Sequence, residues 1–264
     1  MARRVLDPPP AAGCAAELKP VRAPAVLSAL LALMTSLPAA APAPRDDRPC
    51  VVLLHGVAMS GWTMRPIARA LERDGYRVIN LSYPSRKMPL EQLATEFLPR
   101  ELEKRGALAA PRLDFVTHSM GGILLRLSLR DRRPANLGRV VMLGPPNHGS
   151  PAADRAARRG WMRAVMGVNM PRLGTGADGI VRTLGPADFE VGVIAGSSLL
   201  NPMFKRDMSG VHDGVVTAES AKLAGMRDFR VVPHSHTVML WRRAVIDDVR
   251  AFLREGRFQS AVSD

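Results

Sequence analysis

The chain has 264 residues, of which 47% are hydrophobic and 23% are charged, and it carries a net charge of +13. This length accommodates one sizeable domain with a buried core and argues against two full domains. The charge raises the question of anionic partners. Because the basic residues are scattered and no RNA-binding motif occurs, we expect no nucleic-acid partner, and association with an anionic membrane surface is the alternative.

Residues 1–49 are rich in Ala and Pro and are predicted to be a disordered extension, which leaves residues 50–264 as the folded domain. In the extension, basic residues precede an apolar stretch over 25–37, and small residues follow, an order that resembles a signal peptide. The apolar stretch is short for a membrane-spanning helix, and the candidate cleavage points Ala41 and Ala43 each precede a proline. Export or membrane attachment and a cytoplasmic location therefore both stay open.

From residue 50 onward, short apolar runs alternate with segments of helical spacing, which predicts a mostly parallel sheet with helices on both faces. The predicted strands are Cys50–Leu54, Arg77–Leu81, Leu113–Thr117, Arg139–Leu143, Val191–Ala195 and Phe229–Val232. The predicted helices lie over Met64–Leu71, Leu90–Leu102, Ile123–Leu129 and Val245–Leu253. Pro99 is expected to kink or end the second helix. Residues 150–188 break the alternation, and either a lid or a plain surface excursion fits them.

The strongest chemical signal is the run Thr-His-Ser-Met-Gly-Gly after the third predicted strand. A strand, a tight turn at Ser119 and an immediate helix form a nucleophile elbow, which holds a serine hydroxyl above the sheet edge. The turn places the Met120 amide at a helix N-terminus, where it can donate to an oxyanion. The usual pattern is Gly-x-Ser-x-Gly, but Thr117 stands at the first glycine. A serine that only caps a helix is the alternative.

A second signal is the His-Gly-Val sequence directly after the first predicted strand. A loop at this place must supply the second oxyanion donor, and a sharp turn at Gly56 makes the Val57 amide that donor. For His55 we expect a structural role rather than a catalytic one. We expect His55, Gly56 and His118 to line the pocket.

A serine nucleophile needs a general base and an acid that orients the base. Of the six histidines, only His234 and His236 follow both Ser119 and a late acid. We favour His236, which directly precedes the final helical region, and Asp213, which lies in a loop before a glycine. The competing acids are Asp178, Asp188 and Asp207.

Together these motifs resemble the bacterial lipase/esterase-like α/β-hydrolases, a group similar to triacylglycerol lipases and GPI-inositol deacylases. The resemblance spans roughly residues 50–258 and implies an α/β-hydrolase fold. By this resemblance the nucleophile, acid and base match Ser119, Asp213 and His236, and the oxyanion amides match Val57 and Met120. The segment 143–150 is similar to a family loop that borders the site, which implies that His148 lines the pocket.

The resemblance implies a carboxylic ester hydrolase that forms an acyl-enzyme, acts on a small-molecule ester or lipid, and needs no metal or organic cofactor. An acyltransferase that uses the same triad and a non-catalytic scaffold are the alternatives. The metal-binding spacings Cys-x-x-Cys and His-Glu-x-x-His are absent from the sequence. Apolar residues in the excursion favour an apolar acyl chain, although core packing explains them equally well: Trp161, Met162, Val165 and Met166.

Overall fold

The computed structural model describes residues 46–177, 179–198 and 208–259. A sheet of six parallel strands runs through these residues in the order β2-β1-β3-β4-β5-β6. The strands are β1 Cys50–Leu54, β2 Arg77–Leu81, β3 Leu113–His118, β4 Leu137–Leu143, β5 Val191–Gly196 and β6 Asp228–Val232. All six predicted strands are confirmed to within two residues at each end. The predicted extension is, apart from residues 46–49, outside the described residues.

Helices cover both faces of the sheet, as predicted. They are α1 Arg65–Arg73, α2 Leu90–Gln92, α3 Leu98–Lys104, α4 Met120–Asp131, α5 Pro151–Arg158, α6 Gly160–Met166, α7 Ala218–Ala221 and α8 Arg243–Glu255. Short 3₁₀ helices lie at Gly61–Met64, Ala107–Ala109, Met170–Leu173, Ile180–Thr183 and Val238–Trp241. None of the helices in the described residues is long and apolar enough to cross a membrane.

The core has two layers because successive side chains of a strand point to opposite faces. In β1, Val52 and Leu54 belong to the apolar cluster that α2, α3 and α4 cover. Val51 and Leu53 belong to the cluster that α1 and α8 cover. The strands therefore read as continuous apolar runs, as expected for a parallel sheet buried on both faces.

The strand order reverses at β1, which lies between β2 and β3. Leu54 at the end of β1 is in register with Thr117 near the end of β3. The loop that follows β1 and the turn that follows β3 therefore emerge side by side at the carboxyl edge. Such a switch point is where open α/β sheets bind their ligands.

Pro99 does not end the helical segment, while the alternative expectation of a kink there stays a prediction. The chain passes from α2 through a π-helical stretch at Leu93–Phe97 into α3, and Pro99 occupies one of the first two positions of α3. The helical hydrogen-bonding pattern therefore changes from π to α directly before Pro99.

The excursion 150–188 contains helices and no strand in its described residues, in agreement with the predicted break of the alternation. The guanidinium of Arg126 on α4 connects the loop before the excursion with the end of the excursion. It donates to Asn147 Oδ1 at 2.9 Å and to the backbone oxygens of Leu184 at 3.1 Å and Gly185 at 2.7 Å. All these acceptors are neutral, and burial lowers the pKa of Arg126 to about 10.

Candidate active site

The turn at Ser119 has the strained backbone of a nucleophile elbow. Ser119 adopts φ 53° and ψ −124°, a conformation that costs a residue with a Cβ atom energy and persists only where surrounding contacts impose it. Its N–H donates to the Leu143 backbone oxygen at 2.9 Å. β3 ends one residue before Ser119 and α4 begins one residue after it. The serine is thereby held at the carboxyl edge of the sheet.

Gly121 is required because α4 begins directly against the end of β1. A Cβ atom at this position would lie 2.5 Å from the Leu54 backbone oxygen and 2.9 Å from the His55 oxygen. Thr117, the departure from the usual elbow pattern, is accommodated by Gly122 in the next turn. A Cβ at Gly122 would lie 3.3 Å from Thr117 Oγ1, so the absent side chain leaves room for the threonine.

Asp213 and His236 form a buried hydrogen-bonded pair. His236 Nδ1 lies 2.7 Å from Asp213 Oδ2, and the His236 N–H donates to the Asp213 backbone oxygen at 3.1 Å. The other carboxylate oxygen accepts the N–H groups of Val215 at 2.9 Å and Val216 at 2.8 Å. Because an ionised carboxylate only accepts, this geometry places the proton on Nδ1 and leaves Nε2 as an acceptor.

Gly144 lies directly beside this pair and was not singled out from the sequence. It has φ 55°, and a Cβ atom there would lie 3.0 Å from His236 Nδ1 and 3.2 Å from Asp213 Oδ2. Its N–H donates to the Ile194 backbone oxygen at 2.8 Å. The Leu-Gly-Pro-Pro sequence at the end of β4 was the available signal, since glycine before proline marks a special turn.

The competing candidates lie elsewhere or outside the described residues. His234 is partly exposed and its N–H donates to the Val232 oxygen at 2.7 Å; burial is the main cause that lowers its pKa. Asp188 forms a surface ion pair with Arg133. Asp178 and Asp207 are outside the described residues.

The loop after β1 is held by His55. Its Nδ1 lies 2.8 Å from the Gly56 oxygen, which makes Nδ1 the donor, and its Nε2 accepts the Tyr83 N–H at 3.2 Å. The two rings stack with centroids 4.0 Å apart, and the Tyr83 hydroxyl donates to the His55 oxygen. Burial lowers the pKa of His55. Both ring nitrogens are thus used within the fold, as a structural role requires.

A cavity of about 260 Å³ lies over the elbow and is mostly apolar. Its lining includes Val57, Met59, His118, Ser119, Pro146, Met166, Met170, Leu173, Val215, Val216, His236 and Thr237. Ser119 and His236 therefore face one cavity, together with Val57, whose amide is an expected oxyanion donor. Met120, the other expected donor, begins α4.

Of the residues expected to line the pocket, His118 is part of the lining of this cavity, whereas His55, Gly56 and His148 are not. His55 is directed into the loop, and Gly56 lies behind it, where a Cβ atom would be 3.2 Å from Ser119 Cβ. His148 is exposed because its N–H and its ring turn toward the Ser220 oxygen, at 3.0 and 3.3 Å.

No group of three or more His, Cys, Asp or Glu side chains that could hold a metal ion occurs within the described ranges. The sequence model of the alpha/beta hydrolase family matches residues 51–257. The chain belongs to this family. A comparison with curated proteins gives no match.

Solved structures of other α/β-hydrolases have a similar fold. A Bacillus licheniformis lipase in its mature form matches 81% of this chain and 94% of its own, with a TM-score of 0.61 and 20% identity. A thermophilic esterase from Thermogutta terrifontis matches 79% and 90%, with a TM-score of 0.54 and 17% identity. The thioesterase RedJ of Streptomyces coelicolor matches 90% and 97%, with a TM-score of 0.54 and 16% identity. At these identities the likeness shows the fold.

Two cavity residues of this α/β-hydrolase, Met170 and Leu173, were not predicted from the sequence, whereas Met166 was among the apolar candidates of the excursion. Met170 and Leu173 lie on the 3₁₀ helix of the excursion, and Met166 is the last residue of α6. The apolar pattern around Met166 was visible, but it fits core packing equally well. The tie that brings the excursion over the cavity was not visible: the Asn169 amide donates to the Ser85 and Met88 backbone oxygens, both at 2.8 Å.

Proposed function

We propose that the protein is a carboxylic ester hydrolase that works through a Ser119–His236–Asp213 triad and an acyl-enzyme. The observation that carries this proposal is the buried 2.7 Å contact of Asp213 with His236, a histidine that shares its cavity with Ser119. An acid-oriented imidazole with an unprotonated Nε2, in one cavity with a serine on a strained turn, is the arrangement that activates a hydroxyl for acyl transfer.

In the proposed mechanism, His236 Nε2 accepts the Ser119 hydroxyl proton as Oγ attacks the ester carbonyl carbon. The carbonyl oxygen becomes an oxyanion that the Val57 and Met120 amides stabilise; removal of one such donor costs about 3 kcal/mol. When the intermediate collapses, the C–O bond breaks and His236 gives its proton to the leaving alcohol. Water, deprotonated by the same histidine, then attacks the acyl carbon. The bond from this carbon to Ser119 Oγ breaks, His236 returns the proton to Oγ, and the carboxylic acid leaves.

The cavity lining supports an ester with an apolar acyl group. The cavity has an apolar wall on the side of the excursion, formed by Met166, Met170 and Leu173. A second apolar wall beside Asp213 is formed by Val215 and Val216. The similar solved structures include a lipase, an esterase and a thioesterase, all of which cleave acyl compounds. Small-molecule esters and lipids are therefore the proposed substrate class.

We also propose that the excursion associates with an anionic lipid surface. Residues 155–177 contain five arginines and no acidic residue. Trp161, Val165 and Val168 expose 67%, 49% and 49% of their surface there, and the neighbouring Arg158 and Arg159 are exposed. Aromatic and aliphatic side chains beside basic ones are typical of segments that lie in a membrane interface.

The experiment that tests the hydrolase is labelling with a fluorophosphonate probe, followed by turnover of p-nitrophenyl esters of increasing acyl length. We expect wild type to be labelled and Ser119→Ala to be neither labelled nor active. Ser128→Ala is the matched control, because Ser128 is also buried on α4 but faces a different cavity. Labelling of Ser119→Ala equal to wild type would exclude Ser119 as the nucleophile.

A further inference from the structure

His118 is the last residue of β3, directly before Ser119, and is completely buried. Its Nε2 lies 2.9 Å from the backbone oxygen of His236. Because a carbonyl oxygen can only accept, Nε2 must carry the proton, and Nδ1 of the neutral ring is then unprotonated. Nδ1 has no hydrogen-bond partner among the described residues. The His118 ring therefore donates one hydrogen bond, and its acceptor is the backbone oxygen of His236, the proposed base.

The surroundings of His118 keep its ring neutral. Burial is the main cause that lowers the pKa of His118 well below its usual value, and the neighbouring His236 and His55 lower it further. The rings of His118 and His236 have centroids 4.7 Å apart. The hydrogen bond to the His236 backbone oxygen raises the pKa of His118, but it does not outweigh the effect of burial.

The hydrogen bond from His118 means that both backbone polar groups of His236 are bonded within the site. The His236 N–H is bonded to the Asp213 backbone oxygen, and the His236 oxygen is bonded to His118. One bond thus ties the base to the acid, and the other ties it to the residue that adjoins the nucleophile. The His118 ring also lies close to the loop after β1, since a Cβ atom at Gly56 would lie 3.0 Å from His118 Nδ1.

We propose that His118 is a positioning residue of the active site: its Nε2–H bond to the His236 oxygen sets the position of the base relative to Ser119. This inference rests on the proposed function. It assigns to His118 an effect on the chemical step and not on substrate binding. A displacement of about 1 Å in a catalytic group can lower a rate about 100-fold, so loss of this single contact is expected to be measurable.

The test compares His118→Leu with His118→Gln in the full-length protein. Leucine fills the space without a donor, whereas the glutamine side-chain amide can reach the place of Nε2 and donate to the same oxygen. We expect His118→Leu to lower kcat and the rate of fluorophosphonate labelling about 10- to 100-fold, with KM changed less than about threefold. We expect His118→Gln to recover most of both rates.

A purely structural role would lower stability without this pattern. Leu113→Val, a core truncation at the other end of β3, is therefore the matched control for stability and should leave kcat unchanged. If His118→Leu does not fold, His118→Asn replaces it, because the shorter amide cannot reach the His236 oxygen. Nitrogen-15 NMR of the His118 ring gives a second measurement, with a protonated Nε2 and an unprotonated Nδ1 expected at neutral pH.

The outcomes separate this inference from the proposed function. Wild type that is not labelled at Ser119 would overturn the proposed function and this inference with it. Labelled wild type with an equally fast His118→Leu variant would overturn this inference alone. Equal losses in the leucine and glutamine variants, or an unprotonated Nε2, would also overturn it, since the donated hydrogen bond would then not be the cause.

Discussion

Asp213 holds His236 twice, through its carboxylate at 2.7 Å from Nδ1 and through its backbone oxygen at 3.1 Å from the His236 N–H. The backbone bond does not depend on the acid, so the loop should keep its place when the carboxylate becomes an amide. A substitution of Asp213 by asparagine therefore tests the chemistry of the carboxylate with little change in its geometry.

We expect Asp213→Asn to lower kcat about 10³- to 10⁴-fold, because an amide stabilises the wrong histidine tautomer and no imidazolium. Ester turnover under saturating substrate measures this. Asp188→Asn is the control, since Asp188 is paired with Arg133 at the surface. A near-normal rate in Asp213→Asn would redirect the search for the acid to Asp178 and Asp207.

The two late histidines should differ sharply. His236→Ala should abolish labelling and turnover, because it removes the group that accepts the Ser119 proton. His234→Ala should retain turnover within about threefold, as surface substitutions away from special features usually have small effects. Turnover of both variants with the same ester decides the assignment, and an inactive His234→Ala beside an active His236→Ala would reverse it.

Gly144→Ala should damage catalysis as well as stability. The new Cβ atom would lie 3.0 Å from His236 Nδ1. The backbone of an alanine would also be strained at φ 55°, which costs about 1–3 kcal/mol. Gly75→Ala is the matched control, because Gly75 has φ 87° with nothing within 4 Å. Urea unfolding should show comparable losses of stability in the two variants. The kcat should be lowered only in Gly144→Ala. Wild-type kcat in Gly144→Ala would show that the pair tolerates the contact.

Stability should fall as the pH falls from 6.5. The folded state holds the pKa values of His55 and His118 below the usual 6.5, mainly by burial. Below this pH the unfolded chain takes up protons on these rings that the folded chain does not, and each contributes at most about 1.4 kcal/mol per pH unit.

Urea unfolding between pH 7.5 and 5.5 measures this dependence. His118→Gln should show a shallower slope than wild type, because it removes one of the rings whose pKa burial lowers. A slope that His118→Gln leaves unaltered would mean that His118 does not contribute to the acid sensitivity.

The proposed lipid surface predicts co-sedimentation with vesicles rich in phosphatidylglycerol and little binding to phosphatidylcholine alone. A double variant, Trp161→Ala with Val165→Ser, should weaken binding about tenfold or more, because it removes apolar area from the interface. Raised salt should weaken binding as well. Leu108→Ser is the control, as Leu108 is similarly exposed but lies just before β3. Equal binding by wild type and the double variant would exclude α6 as the contact.

Local patterns were sufficient for the architecture. The six strands follow from apolar runs, and Ser119 follows from a strand, a turn and a helix joined within ten residues. Such features are decided by neighbours in the chain, because strand burial and turn strain depend on the residues at those positions. The match of a hydrolase family model to residues 51–257 agrees with that reading.

Only the tertiary structure decided which distant groups meet. The sequence left Asp213 and His236 among several acids and histidines; their contact depends on two loops brought together by the order of β5 and β6. The same packing turns His148 outward, places Met166 at the cavity, and joins His118 to the backbone of His236. No local pattern encodes these contacts, because each is a distance between segments that only the folded sheet brings side by side.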